Sequence, residues 1–311
     1  MATLLSRCAW PWLLGGLAAG TLYLYYIVGA QPARPFPDAA QTAFGRAAGV
    51  LRGIHAAAQL ILAGCICGQA GALFPETSGL HWVGLGVLAL AAFAARKGTA
   101  VVLRCGAVLF VPIALILGAV PLLALHGARW AWALPAGAPS DFGAGLLFAL
   151  LPLSLGWLRP QLHESDAAPG RWLPGLCLAP AAFAGICSAC ISPALARQPM
   201  SVLRLARSVT VFGVMLRLES FVSCALMASA FTGVGLLLCS ALAAGRKTEI
   251  RSSDVLYFSL ATAVVSMLPD RVVLPLGTAA ATFCALYSIL TTTSGGKRRI
   301  SKKLDFFEKK A

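Results

Sequence analysis

Long, nearly uninterrupted apolar runs separated by short charged gaps make up most of this sequence. Their lengths predict helices that cross a bilayer, because about 20 residues at 1.5 Å each span roughly 30 Å of hydrocarbon. The runs fall at 9–29, 50–74, 80–95, 99–125, 142–158, 172–194, 209–243, 254–269 and 272–290. They predict an all-α polytopic membrane protein of about nine spans, with one transmembrane domain over 1–296 and a basic tail over 297–311. Runs 80–95, 142–158 and 254–269 are short for a full crossing, and 209–243 begins in a stretch that lies partly outside the core, so the count is good to one span.

Composition sharpens this picture. The 311 residues are 59% hydrophobic and 12% charged, with a mean hydropathy of +0.80. The net charge of +14 does not point to nucleic acid, because no soluble fold is left to present a basic stripe; loop charge on the cytoplasmic side accounts for it. The tail GGKRRISKKLDFFEKK places the C-terminus in the cytoplasm, and nine alternating spans then place the N-terminus outside. On that topology seventeen basic residues lie inside and six outside; the basic stretch 197–207 is its weakest point. The first run follows a single Arg7 as a secretory signal would, but it is long and lacks a small-residue cleavage box, so it reads as a retained span.

Polar residues inside such runs are the leads to function, since each has to find a partner in the bundle or line water. Arg52, His55 and Gln59 stand at i, i+3 and i+7 and share one helical face. His55 and Gln59 are candidates for a ligand pocket or polar passage; the alternative is a cluster that holds neighbouring helices together. Gly64 and Gly68 form a G-x-x-x-G pair suited to close helix packing. Arg104 follows the Arg96-Lys97-Gly98 turn and either snorkels to the headgroups or makes an internal gating contact. Glu219 and Arg217 are two positions apart, so they cannot meet on one helical face. Three roles stand open for Glu219: a structural or gating ion pair with another helix, a substrate or proton-coupling site, or an interfacial position.

Segment 130–158 crowds Pro135, Pro139, Gly143, Gly145 and Pro152 into a region that would otherwise be one helix. A break there can expose backbone groups to a small polar ligand, which makes Gly143 and Gly145 candidates; a loop followed by a short helix is the alternative. Of the ten cysteines nearly all lie inside apolar runs, where a thiol acts as a small hydrophobe. Cys187-Ser-Ala-Cys190 has redox spacing without the surrounding motif. There is no phosphate-binding glycine loop or H-E-x-x-H zinc motif, and the histidines at 55, 81, 126 and 163 are scattered. No enzyme activity, cofactor or metal is expected.

The segments FPDAAQTAFGRAAGVLRGIHAAAQLILAG, LFPETSGLHWVGLGVLALAAFAARKGTAVVLRCGAVLFVPIALILGAV and SVTVFGVMLRLESFVSCALMASAF, in this order, resemble the membrane-embedded B subunit of spore germinant receptors, within the amino acid-polyamine-organocation transporter superfamily. The Ala95-Arg96-Lys97-Gly98 turn with Arg104, and Arg217-Leu218-Glu219, carry most of the likeness. It implies a LeuT-like inverted-repeat core of ten helices in a bacterial cell membrane or spore inner membrane. It also implies recognition of a nutrient such as an amino acid, in complex with an A-type membrane subunit and a C-type lipoprotein. On that mapping 9–29 resembles the second family helix, 50–74 the third, 142–158 the sixth and 209–243 the eighth. The discontinuous first helix, which supplies about half of the family's ligand site, then has no counterpart. The sixth also has Gly143-Ala-Gly145 where relatives often carry a polar or acidic side chain nearby, so ligand specificity does not transfer. Nutrient sensing is the leading expectation, an amino acid/proton symporter or a noncatalytic membrane scaffold the alternatives.

Overall fold

Apolar helix formers with little internal charge give long helices, and charge, glycine or proline interrupts them. A computed structural model of the chain describes residues 41, 44–71, 73, 82–132, 186–187, 189–191, 201–211, 214–215, 218–245, 252–269, 271–273, 275–287 and 290. In these, α1 is Ala48–Gly71, α2 Trp82–Arg96, α3 Thr99–Ala124, α4 Ser201–Ser208, α5 Glu219–Gly245 and α6 Ser252–Ser266. α7 occupies Arg271–Tyr287. Between α4 and α5, strands β1 (Thr210–Val211) and β2 (Val214–Met215) form a minimal antiparallel pair with Val211 opposite Val214.

Three of the described helices are long and apolar enough to cross a membrane: Gly45–Gly71, Thr99–Gly127 and Glu219–Ala244. The number rises to four if the bent pair α6 and α7 is one further span. α2, with 15 residues, extends only about 22 Å and falls short of the hydrocarbon thickness. The expected spans 9–29 and 142–158, and most of 172–194, lie outside the described residues. The expected 209–243 span is shorter than its apolar run. Its first residues carry the β1–β2 turn, and the helix starts only at Glu219.

The turn between α2 and α3 shows how sequence sets a boundary. Lys97 and Gly98 donate backbone hydrogen bonds to Ala94 and Ala95, and Gly98 takes φ +103°. A side chain at that φ is strained, so glycine is required. α3 then runs unbroken across Pro112 and Pro121. Its outward face exposes Val108, Phe110, Val111 and Leu115. Water would disfavour a contiguous apolar face of this kind, whereas hydrocarbon accommodates it.

The core sits where α1, α2, α5 and α7 meet, with Leu62, Ala63, Cys67, Ala91, Val234, Leu238, Ala281 and Cys284 among its buried side chains. Small residues let backbones approach. A Cβ added at Gly64 would stand 2.6 Å from Val265 Cβ, and one at Gly68 3.3 Å from the Ser266 carbonyl oxygen, so the G-x-x-x-G face is the seat of α6. α3 and α5 are antiparallel, since Gly235 meets Val102 and Gly106 meets Thr232. Hydroxyls on the apolar helices are satisfied within them. Ser229, Thr232, Ser259, Thr262 and Thr282 each donate to the carbonyl four residues earlier, which removes the penalty of an unpaired donor in hydrocarbon.

Candidate functional site

The i, i+3, i+7 spacing on α1 brings His55 and Gln59 to its buried side, and both are fully enclosed. Arg52, one turn earlier, is half-buried and donates from Nε to the Ala48 carbonyl at 3.2 Å. Gln59 Nε2 lies 3.2 Å from His55 Nε2, a hydrogen bond when the imidazole carries its proton on Nδ1. Gln59 Nε2 also donates toward Cys284 Sγ at 3.8 Å. The His55 ring stacks on Tyr287, with centroids 4.8 Å apart, and Phe44 and Phe283 stack on the same tyrosine at 5.5 and 6.0 Å. Cys284 and Tyr287 are one turn apart on α7, so one face of α1 meets one face of α7.

Farther along, Cys65 Sγ donates to the Val273 carbonyl at 3.7 Å. Positions 55, 59 and 65 therefore meet 287, 284 and 273 in descending order, and α7 runs antiparallel to α1. α6 contacts Gly64 and Gly68 in ascending order through Val265 and Ser266. Between α6 and α7 the chain bends by 114°. The arrangement gives an uncharged cluster of imidazole, amide, thiol and phenol groups within an apolar bundle. It can hold a small molecule through hydrogen bonds and ring stacking, or fasten α7 to α1.

The second polar feature lies elsewhere. Glu219 opens α5, where a carboxylate faces the positive end of the helix dipole, and it forms an ion pair with Arg207 of α4. The Arg207 side chain is 62% exposed and that of Glu219 24%, so the pair stands near the rim of the bundle rather than in its core. Behind it Leu205, Ala206, Val222 and Val120 form a small apolar cluster with Cys187 and Ile191.

Of the residues singled out from sequence, the structure thus joins His55 to Gln59 and leaves Glu219 apart from them. Arg104 is exposed in the second turn of α3, within reach of headgroup level for a long side chain. Gly143, Gly145 and Arg217 lie outside the described residues. Sequence reading did not single out Tyr287, Cys284 or Arg207. Cys284 and Tyr287 carry a recognisable i, i+3 spacing, but nothing local ties them to α1. Arg207 was grouped with the loop charges of 197–207. Among the described residues, no group of three or more His, Cys, Asp or Glu side chains is placed to hold a metal ion. No protein-family model matches this chain, and a search among curated proteins finds no match.

Proposed function

We propose that this helical membrane protein is a nutrient-responsive subunit of the spore germinant-receptor type, which recognises a small polar molecule such as an amino acid without transforming it. The observation that carries the reading is the fully enclosed His55–Gln59 pair set against Cys284 and Tyr287 of α7. Polar groups are costly in such surroundings and are retained where they bind or couple. The ordered likeness of three long segments to the B subunits supplies the nutrient class, the A-type and C-type partners and the bacterial or spore membrane.

The position of Glu219 favours recognition over symport. A proton-coupling carboxylate works best inside the translocation path, whereas Glu219 lies near the rim with a guanidinium beside it. The internal bonding of the His55 cluster favours one second reading, a noncatalytic scaffold in which the cluster only fixes α7.

A strain lacking the gene tests the proposal. Its spores should lose the response to one class of nutrient, and wild-type protein should restore it. His55→Leu and Gln59→Leu at equal protein level should not. Unchanged germination across a broad nutrient panel would sink the sensing reading, and rescue by both variants with complexes intact would support the scaffold. Uptake driven by a pH gradient in proteoliposomes, lost in Glu219→Gln, would instead identify a symporter.

A further inference from the structure

At the end of the bundle where α3 finishes and α5 begins, three basic side chains and two tryptophans gather. α3 has 26 residues, about 39 Å of helix, close to the thickness of a bilayer with its headgroups. If Gly98 marks one headgroup level, the short 3₁₀ turns Leu125–Gly127 and Trp130–Trp132 that follow α3 mark the other. There Trp130 is 62% exposed, and the Arg129 guanidinium lies 5.1 Å from the centre of the Trp132 ring. The Arg129 backbone N–H donates to the Ala189 carbonyl at 2.9 Å. Residues 187 and 191 share an apolar cluster with Val120, Val222 and the buried Leu205 and Ala206 of α4. α4 therefore lies across this same end, with its apolar side on the bundle and Arg204 and Arg207 exposed.

Charge selects the partner. Glu219 neutralises Arg207, and among the described residues neither Arg129 nor Arg204 has a carboxylate partner. A basic amphipathic helix beside tryptophans at the end of a spanning helix is the arrangement that seats in the headgroup layer. We infer that Arg129 and Arg204 bind the phosphate of an anionic phospholipid, with Trp130 and Trp132 packed against its glycerol region. The inference does not depend on nutrient recognition.

Local fluorescence tests it. The full chain, with its other tryptophans replaced by phenylalanine, is reconstituted in mixed bilayers. Quenching of Trp130 and Trp132 by bromo-acyl phosphatidylglycerol is compared with quenching by bromo-acyl phosphatidylcholine. A basic residue at the surface contributes about a factor of five in affinity, so the two arginines should give up to roughly thirtyfold preference for the anionic lipid. Arg204→Gln should lower the preference about fivefold and Arg129→Gln with Arg204→Gln should abolish it, while Arg204→Lys retains it. Equal quenching by the two lipids, or an unchanged preference in the double variant, would overturn the inference. So would displacement of the anionic lipid by millimolar inorganic phosphate, which would mark a free-anion site.

Discussion

The two polar pairs differ in what surrounds them, and their substitutions should differ accordingly. Gln59 is fully enclosed and bonded on two sides. Gln59→Leu leaves the imidazole without its amide partner, a cost of about 1–3 kcal/mol for an unmet buried group. Unfolding in mixed micelles with increasing dodecyl sulfate should show that loss. Arg207 and Glu219, by contrast, are largely water-facing on the arginine side. A double-mutant cycle with Arg207→Gln and Glu219→Gln should give a coupling below about 1 kcal/mol, and a larger value would place the pair in a far less solvated setting. The shared face of His55 and Gln59 was legible from spacing alone. Their partners were not, because α1 and α7 are joined by no local pattern. Glu219 was visible as an unusual charge, yet its companion twelve positions earlier was hidden by a stretch of β-branched and aromatic residues that reads equally well as helix or strand.

At the level of elements, length and hydropathy located α1, α2 and α3 within a few residues of their observed ends. They did so because unbroken apolar runs leave the backbone no better way to satisfy its hydrogen bonds in hydrocarbon. The start of α5 was misplaced by about ten residues for the opposite reason: 209–218 is apolar enough for a span but near enough to water to turn back as β1–β2. Helix contacts offer a sharper check. Gly64→Ala puts a methyl group 2.6 Å from Val265 Cβ, so α1 and α6 have to separate, at a cost of about 1–3 kcal/mol. Gly53→Ala on the same helix meets no atom within 4 Å and should be neutral or stabilising by up to about 1 kcal/mol. The same micelle titration distinguishes them. Equal effects would contradict the α1–α6 seat.

For the whole molecule, the described helices fix which ends lie together. Lys97 is at one end of α3, and Trp130 is at the other. Cysteine introduced at these positions, in a chain cleared of native cysteines, should react with a membrane-impermeant maleimide from opposite sides. The bias of basic loops predicts that position 130 labels from outside intact cells and position 97 only after lysis. Labelling of both from one side would contradict the assignment of α3 as a complete span.

The pairing of α1 with α7 also governs how the protein is made. Gln59 and Cys284 are separated by 225 residues, so at chain-growth rates of about 5–20 residues per second α1 waits on the order of 10–50 s for its partner. During that interval the nascent helix sits in the insertion machinery or bilayer with its imidazole and amide served only by each other. A ribosome stalled before α7 would release a chain that carries an unfinished polar seam, a feature by which membrane quality control could tell it from the completed protein.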